Sequence, residues 1–241
     1  MSTAQSDTKP TIVLIHGAFA DGTSWQHVIP LLEQNGYSVL AVQIPLSSVA
    51  DDVATTKRAL GFVKGPVVLV GHSYGGVVIT GAGAGAPNVK ALVYIAAYAP
   101  EVNEAIGATT AAYAATPLAA ALTPDSGGYL YISRDKFHAS FCADVPDAEA
   151  RIMAVVQKPL HGSTFGATLD NVAWKTIPSW YLVSQDDKAI NPDQERFYAK
   201  RMKATTREVK SSHVSMVSHP ADVAKLIEDA VHGTIGAMAM A

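Results

Sequence analysis

A chain of 241 residues, 49% hydrophobic and 16% charged, is long enough to bury most of its apolar surface around one core, so a single α/β domain is the default expectation. A formal net charge of −3 with no run of Lys and Arg excludes a built-in attraction to nucleic acid or an anionic membrane, and leaves a small neutral or mildly polar molecule as the expected partner. Cys142 is the single cysteine, which excludes an internal disulfide and a cysteine-based zinc site and predicts a small packed residue in a reducing compartment.

Residues 1–10 are polar and carry no apolar signal core, and the longest apolar runs are too short to span a bilayer, so a soluble, cytoplasmic protein is expected. Residues 11–15 (Thr-Ile-Val-Leu-Ile) read as a central parallel strand buried on both faces, ending at His16-Gly17-Ala18-Phe19. Thr23 or Ser24 can cap a helix carrying Trp25, Val28, Ile29, Leu31 and Leu32, which Asn35-Gly36 stops. Residues 37–42 form the next strand. A loop over 45–50 leads to a helix over 51–63, with Asp51 and Asp52 in its first turn and Lys57 and Arg58 later, as the helix dipole favours.

Gly65-Pro66 then opens Val67-Val68-Leu69-Val70, which runs directly into Gly71-His72-Ser73-Tyr74-Gly75-Gly76. Residues 77–82 read as a buried helix with small residues for close packing, and 90–96 as a fourth strand. The resulting β-α-β-α-β-α-β order, with right-handed crossovers, predicts a doubly wound parallel sheet. From 100 to 177 the pattern changes to an Ala-rich stretch (111–121), a turn at Pro124-Asp125-Ser126-Gly127-Gly128 and a helix over 148–156, read as an inserted helical cap. The core resumes with a strand over 180–184, a helix from Pro192 to 202, a strand over 206–210 and a helix over 221–231, before a frayed tail from 233. The division is thus a core of 1–99 and 178–241 with a cap of 100–177.

The chemistry starts from Ser73. In G-x-S-x-G a strained strand-to-helix turn exposes the serine hydroxyl above the sheet, and only residues without bulk fit two positions to either side, as Gly71 and Gly75 do. A serine hydroxyl needs a base to take its proton and an acid to orient that base, in the order Ser, Asp or Glu, His. Asp186-Asp187 follows the 180–184 strand and His213 follows the next, both at carboxyl ends of strands, where open α/β sheets place their sites. Of the eight histidines, His16 and His72 read as structural, and His27, His138, His161 and His232 lack a matching acid. His219 competes with His213 but precedes Pro220 and reads as a helix cap. An oxyanion hole would draw on the backbone N–H of Tyr74 and of Ala18, with Phe19 as the alternative to Ala18. No metal is expected.

These residues resemble the α/β-hydrolase fold superfamily, in particular the small branch of plant methylesterases, hydroxynitrile lyases and bacterial carboxylesterases. The resemblance runs from Thr11 to about Val231 and rests on Ile15-His16-Gly17-Ala18, Gly71-His72-Ser73-Tyr74-Gly75-Gly76, Asp187-Lys188-Ala189-Ile190-Asn191-Pro192 and Ser212-His213-Val214. It implies a mostly parallel six-stranded sheet under a helical cap, favours Asp187 over Asp186 because the acid stands five residues before such a proline, and implies no cofactor. Phe19, Tyr113, Phe137, Phe141, Phe165 and Trp174 become candidate pocket liners. Serine rather than aspartate at the nucleophile position argues against dehalogenase and epoxide hydrolase chemistry, and Val214 stands where lyases of this branch carry a lysine.

The combined expectation is a cofactor-free serine carboxylesterase, monomeric or homodimeric, acting on a small, largely apolar ester through Ser73, His213 and Asp187. Because a free imidazole titrates near 6.5, kcat/KM is expected to fall on acidification through roughly pH 6 to 7. The alternatives are perhydrolase, haloperoxidase-like or lyase activity on the same residues, and a non-catalytic small-molecule receptor.

Overall fold

The computed structural model describes residues 9–238. Strand β1 (Thr11–Ile15) leads through a 3₁₀ turn (Gly22–Trp25) to α1 (Ile29–Gln34) and β2 (Ser38–Val42). Helix α2 (Val49–Phe62), β3 (Val67–His72), α3 (Gly75–Gly83) and β4 (Val89–Ile95) complete the first half. The inserted segment holds α4 (Ile106–Thr110), β5 (Leu122–Pro124), β6 (Tyr129–Ile132), α5 (Arg134–Phe141), α6 (Asp147–Val156) and β7 (Leu160–His161). The chain returns with β8 (Ser179–Ser184), α7 (Pro192–Arg201), β9 (Thr205–Val209), α8 (Ser215–Ser218) and α9 (Pro220–Met238).

The main sheet has six strands in the order β2-β1-β3-β4-β8-β9, every pairing parallel. Val67 to Val70 of β3 have no exposed surface, each such side chain stabilising the fold by about 1.5–3 kcal/mol relative to exposure. Strand order reverses between β1 and β3, the switch point above which ligands sit in open α/β sheets.

Several local expectations are corrected. The first helix is broken in two: Asp21, not Thr23 or Ser24, accepts the Thr23 N–H at 2.7 Å and caps the 3₁₀ turn, and Pro30, which lacks an N–H, restarts the chain as α1. Ser48 caps α2 through the Asp51 N–H at 3.1 Å, so that helix begins at Val49. The inserted segment carries helices, as expected, and also a three-stranded antiparallel sheet, β5-β6-β7, whose strands are too short to show a period. The last helix does not fray at 233 but continues to Met238; the remainder of the predicted tail, and most of the polar start, lie outside the described residues. No helix among the described residues is long and apolar enough to cross a membrane.

Candidate active site

Ser73 follows β3 directly and takes φ +53°, a left-handed conformation costly for a residue with a Cβ and held here by its surroundings. Its N–H donates to Ile95 O at 3.2 Å, and its carbonyl accepts from Gly76 N at 3.0 Å and Tyr98 N at 3.1 Å. The glycines exist for close approach. A Cβ on Gly71 would stand 2.6 Å from Gly75 O, one on Gly75 2.7 Å from Ile15 O, and one on Gly17 2.8 Å from Ser73 Cβ. The loop after β1 therefore passes directly against the nucleophile turn.

His213 and Asp187 are brought together. His213 Nδ1 lies 2.6 Å from Asp187 Oδ2, both side chains essentially without solvent exposure. Asp187 Oδ1 accepts from Ala189 N at 2.6 Å and Ile190 N at 3.0 Å, whereas Asp186 is exposed and only its backbone is used, donating to Ser211 O at 3.0 Å. Because the carboxylate can only accept, it fixes the proton of His213 on Nδ1 and leaves Nε2 as a bare acceptor. That Nε2 is buried and has no hydrogen-bond partner among the described residues. The competitor His219 has Nδ1 2.9 Å from Ser218 Oγ and 3.6 Å from Asp144, remote in function from Asp187.

Two further histidines hold the site in shape. His72 Nε2–H donates to His213 O at 2.9 Å while its ring lies 4.6 Å from the His213 ring; burial, and then the nearby His213, hold the His72 imidazole well below its usual range and keep it neutral. His16 Nδ1–H donates to Gly17 O at 2.8 Å and Nε2 accepts from Ile44 N at 3.2 Å, a pattern only the neutral ring can make, and burial pulls its pKa down to about 4. The unfolded chain therefore takes up a proton near pH 6.5 that the folded one refuses until about 4, so stability is lost as pH falls through that interval. Relative to His16→Gln, the parent is expected to lose Tm more steeply between pH 6.5 and 4 in calorimetric scans.

Phe19 (φ +60°) donates its N–H to Lys158 O at 3.0 Å. The N–H groups of Ala18 and Tyr74, by contrast, are not taken by a backbone carbonyl among the described residues. The Tyr74 hydroxyl donates to Asp52 Oδ2 at 2.7 Å, and Asp52 Oδ1 accepts from Leu46 N at 2.7 Å, tying the nucleophile turn to α2. Burial pushes the Asp52 carboxyl up. Asp52 was legible only as a helix-terminal acid; a buried role at such a position has no local signature.

Ser73 lines a small, partly open cavity of about 30 Å³ whose other walls include Ala18, Phe19, Tyr74, Tyr98, Leu118, Phe141, Phe165 and Ile190. Of the six candidate liners, Phe19, Phe141 and Phe165 stand in these walls. Phe137 stands behind, its ring 5.1 Å from Phe141. Tyr113 does not reach the cavity; it packs on Phe197 of α7 at 6.5 Å. Trp174 donates Nε1–H to Pro100 O at 2.9 Å and stacks under Lys175 and Arg201, which turns it away from the site. The aliphatic liners Leu118 and Ile190 have no signature in the sequence, because loop residues carry no period. Val214 is fully buried, so the position after His213 presents no charge. Cys142 is buried and packed, its thiol pushed up to about 12 by burial.

The profile of the alpha/beta hydrolase family matches residues 12–226. The chain belongs to that family. This alpha/beta hydrolase is 26% identical over 245 residues to the alpha/beta hydrolase nvfD of Aspergillus novofumigatus, covering 92% of this chain and 96% of that one. It is 24% identical over 217 residues to methylesterase 8 of Arabidopsis thaliana, covering 78% and 76%. Among solved structures, the pyrethroid hydrolase of Sphingobium faniae JZ-2 superposes with a TM-score of 0.79 at 24% identity, covering 93% of this chain and 98% of that one. Polyneuridine aldehyde esterase gives 0.80 at 18%, covering 92% and 99%. These likenesses carry the fold.

Proposed function

We propose that this alpha/beta hydrolase is a serine esterase that cleaves small, largely apolar carboxylic esters through an acyl-enzyme. The carrying observation is the buried, unpartnered Nε2 of His213, whose other nitrogen is bound to Asp187 and whose backbone is held by His72, the residue before Ser73. Nε2 takes the Ser73 proton as Oγ attacks the ester carbonyl, and returns it to the leaving alcohol. Asp187 holds the imidazole in the required tautomer and stabilises its charged form. The oxyanion is received by the Tyr74 and Ala18 N–H groups; Phe19 is the weaker choice because its N–H already serves Lys158. Water, deprotonated by His213, then releases the acid. The names of the relatives, methylesterases and other ester hydrolases, point to the same chemistry.

The test is labelling with a p-nitrophenyl phosphonate followed by peptide mass spectrometry. One adduct per chain on Ser73, absent in Ser73→Ala, is the expected result; an unlabelled protein that turns over no p-nitrophenyl ester but binds small apolar molecules saturably would replace this reading with a receptor. The small cavity adds an expectation on substrate size. Forcing each further methylene into a filled space costs about 1 kcal/mol or more, so kcat/KM is expected to fall at least about tenfold from p-nitrophenyl acetate to the octanoate. A rise along that series would place the acyl chain outside the cavity.

A further inference from the structure

Two buried acids take no part in the steps above, Asp52 and Glu195. Asp52 is accounted for by Tyr74 and Leu46. Glu195 is not. It stands in the first turn of α7 with no solvent exposure, Oε2 accepts from Ser184 N at 3.0 Å, and Oε1 is buried without a conventional donor. Ser184 ties it to the catalytic acid: the Ser184 N–H goes to Glu195 and the Ser184 carbonyl accepts from Asp187 N at 3.2 Å.

Two carboxylates gathered at one residue, both buried, are both acceptors and cannot face each other without a proton between them. Which of them holds it follows from the donors around them. Asp187 accepts from Ala189 N, Ile190 N and His213 Nδ1, filling three of the roughly four lone-pair sites of a carboxylate, so it is the ionised partner. Glu195 has the Ser184 N–H alone. Arg196, next in the chain, has its guanidinium on Asp193 and Glu208, and the other titratable groups near Glu195 are the Tyr98, Tyr181 and Tyr198 phenols, which burial keeps neutral. Burial first, and the Asp187 charge second, push the Glu195 carboxyl well above the usual carboxylate range.

We propose that Glu195 is a positioning residue for the Asp187–His213 pair: it remains a neutral carboxylic acid and donates its O–H to Asp187, filling the last acceptor site of that carboxylate. The donated bond fixes the plane of the carboxyl group and lowers its basicity, so that it orients His213 without drawing the Nδ1 proton across. This role rests on the serine esterase reading; the protonation of Glu195 does not.

The variants Glu195→Gln and Glu195→Met separate the possibilities. Gln keeps an acceptor for Ser184 N–H and a donor for Asp187, so kcat for p-nitrophenyl acetate stays within about threefold of the parent; Met removes the donor, and losing a hydrogen bond to a charged group predicts a kcat about tenfold lower with KM unchanged. The acid limb of the Met variant's pH profile moves upward, because Asp187 becomes more basic and holds the imidazolium more strongly. Equal losses in both variants, or a Met variant with an unmoved pH profile and only a lower Tm, would overturn the proposal. A second arm reads no activity and needs only the parent and Glu195→Gln. An acid held neutral in the fold but ionised in the unfolded chain loses stability as pH rises above about 4.5, so the Tm advantage of the Gln variant grows between pH 4.5 and 8. A difference in Tm that is constant with pH would mean that Glu195 is ionised in the folded protein. Should the ester assays fail altogether while this arm holds, the esterase reading falls and the neutral Glu195 stands.

Discussion

Ser73→Ala is expected to fold as the parent does and to lose about six orders of magnitude in kcat on p-nitrophenyl acetate, the scale on which removing the nucleophile of a serine unit registers. The strained φ of +53° is unaffected, since Ala and Ser share the same Cβ, so thermal stability reports little change. Asp187→Asn is expected to lose about four orders of magnitude with KM close to the parent's, because an amide that satisfies the Ala189 and Ile190 N–H groups with its oxygen turns an N–H toward His213 and selects the wrong tautomer. The double variant should be little worse than Ser73→Ala, as the residues act as a unit. Stopped-flow and steady-state rates check both; more than a hundredth of parental activity in Ser73→Ala would remove Ser73 from the mechanism.

The second large effect is on stability. A Cβ at Gly76 would stand 2.2 Å from Tyr98 O and 2.8 Å from Ala97 Cβ, and the Tyr98 N–H is bonded to Ser73 O. Neither contact is with the far end of a flexible side chain, so backbone has to move. Gly76→Ala is expected to cost about 3 kcal/mol or more. For a chain of this size that is about 6–12 °C in Tm, and activity should fall further because the displaced strand end carries the nucleophile turn with it. Gly61 in α2 meets nothing within 4 Å, and Gly61→Ala is expected to stabilise by about 0.5 kcal/mol through helix propensity. Opposite signs for the same substitution, read by urea titration, would establish that close approach rather than glycine itself is what α3 requires; similar small effects would refute the steric argument.

What was legible in the sequence follows from how local each cause is. The alternation of strands and helices, the Ser73 turn and the positions of Asp187 and His213 at strand ends were legible because aliphatic runs, glycine spacing and chain order express them within a few residues. The three-stranded sheet of the inserted segment was not, because strands of three, four and two residues leave no period to read. Asp52 and Glu195 look in the sequence like acids that favour a helix N-terminus, a position each does occupy. Their burial goes with the bonds they receive, from the Tyr74 hydroxyl and from Ser184 N, which a helix-terminal pattern does not express. Tyr113 and Trp174 lie outside the walls of the Ser73 cavity, and the sequence could not show it: an aromatic ring in a loop has no face until its neighbours are known.

The inserted segment is stitched to the loops that carry the chemistry rather than resting on them. Lys158 O receives the Phe19 N–H, Lys158 Nζ reaches Ile44 O, His161 N–H binds Leu46 O, and Asp144 holds the Ser212 N–H beside His213. A chimera that exchanged residues 100–177 for the corresponding piece of a relative would have to bring its own backbone to the same places beside Phe19 and Leu46, and would lose the Lys158 Nζ and Asp144 bonds wherever those side chains differ. The inserted segment and the loops after β1 and β2 thus behave as one folding unit: recombination that moves residues 100–177 is expected to need those loops moved with it, whereas single substitutions inside the cavity leave these bonds in place.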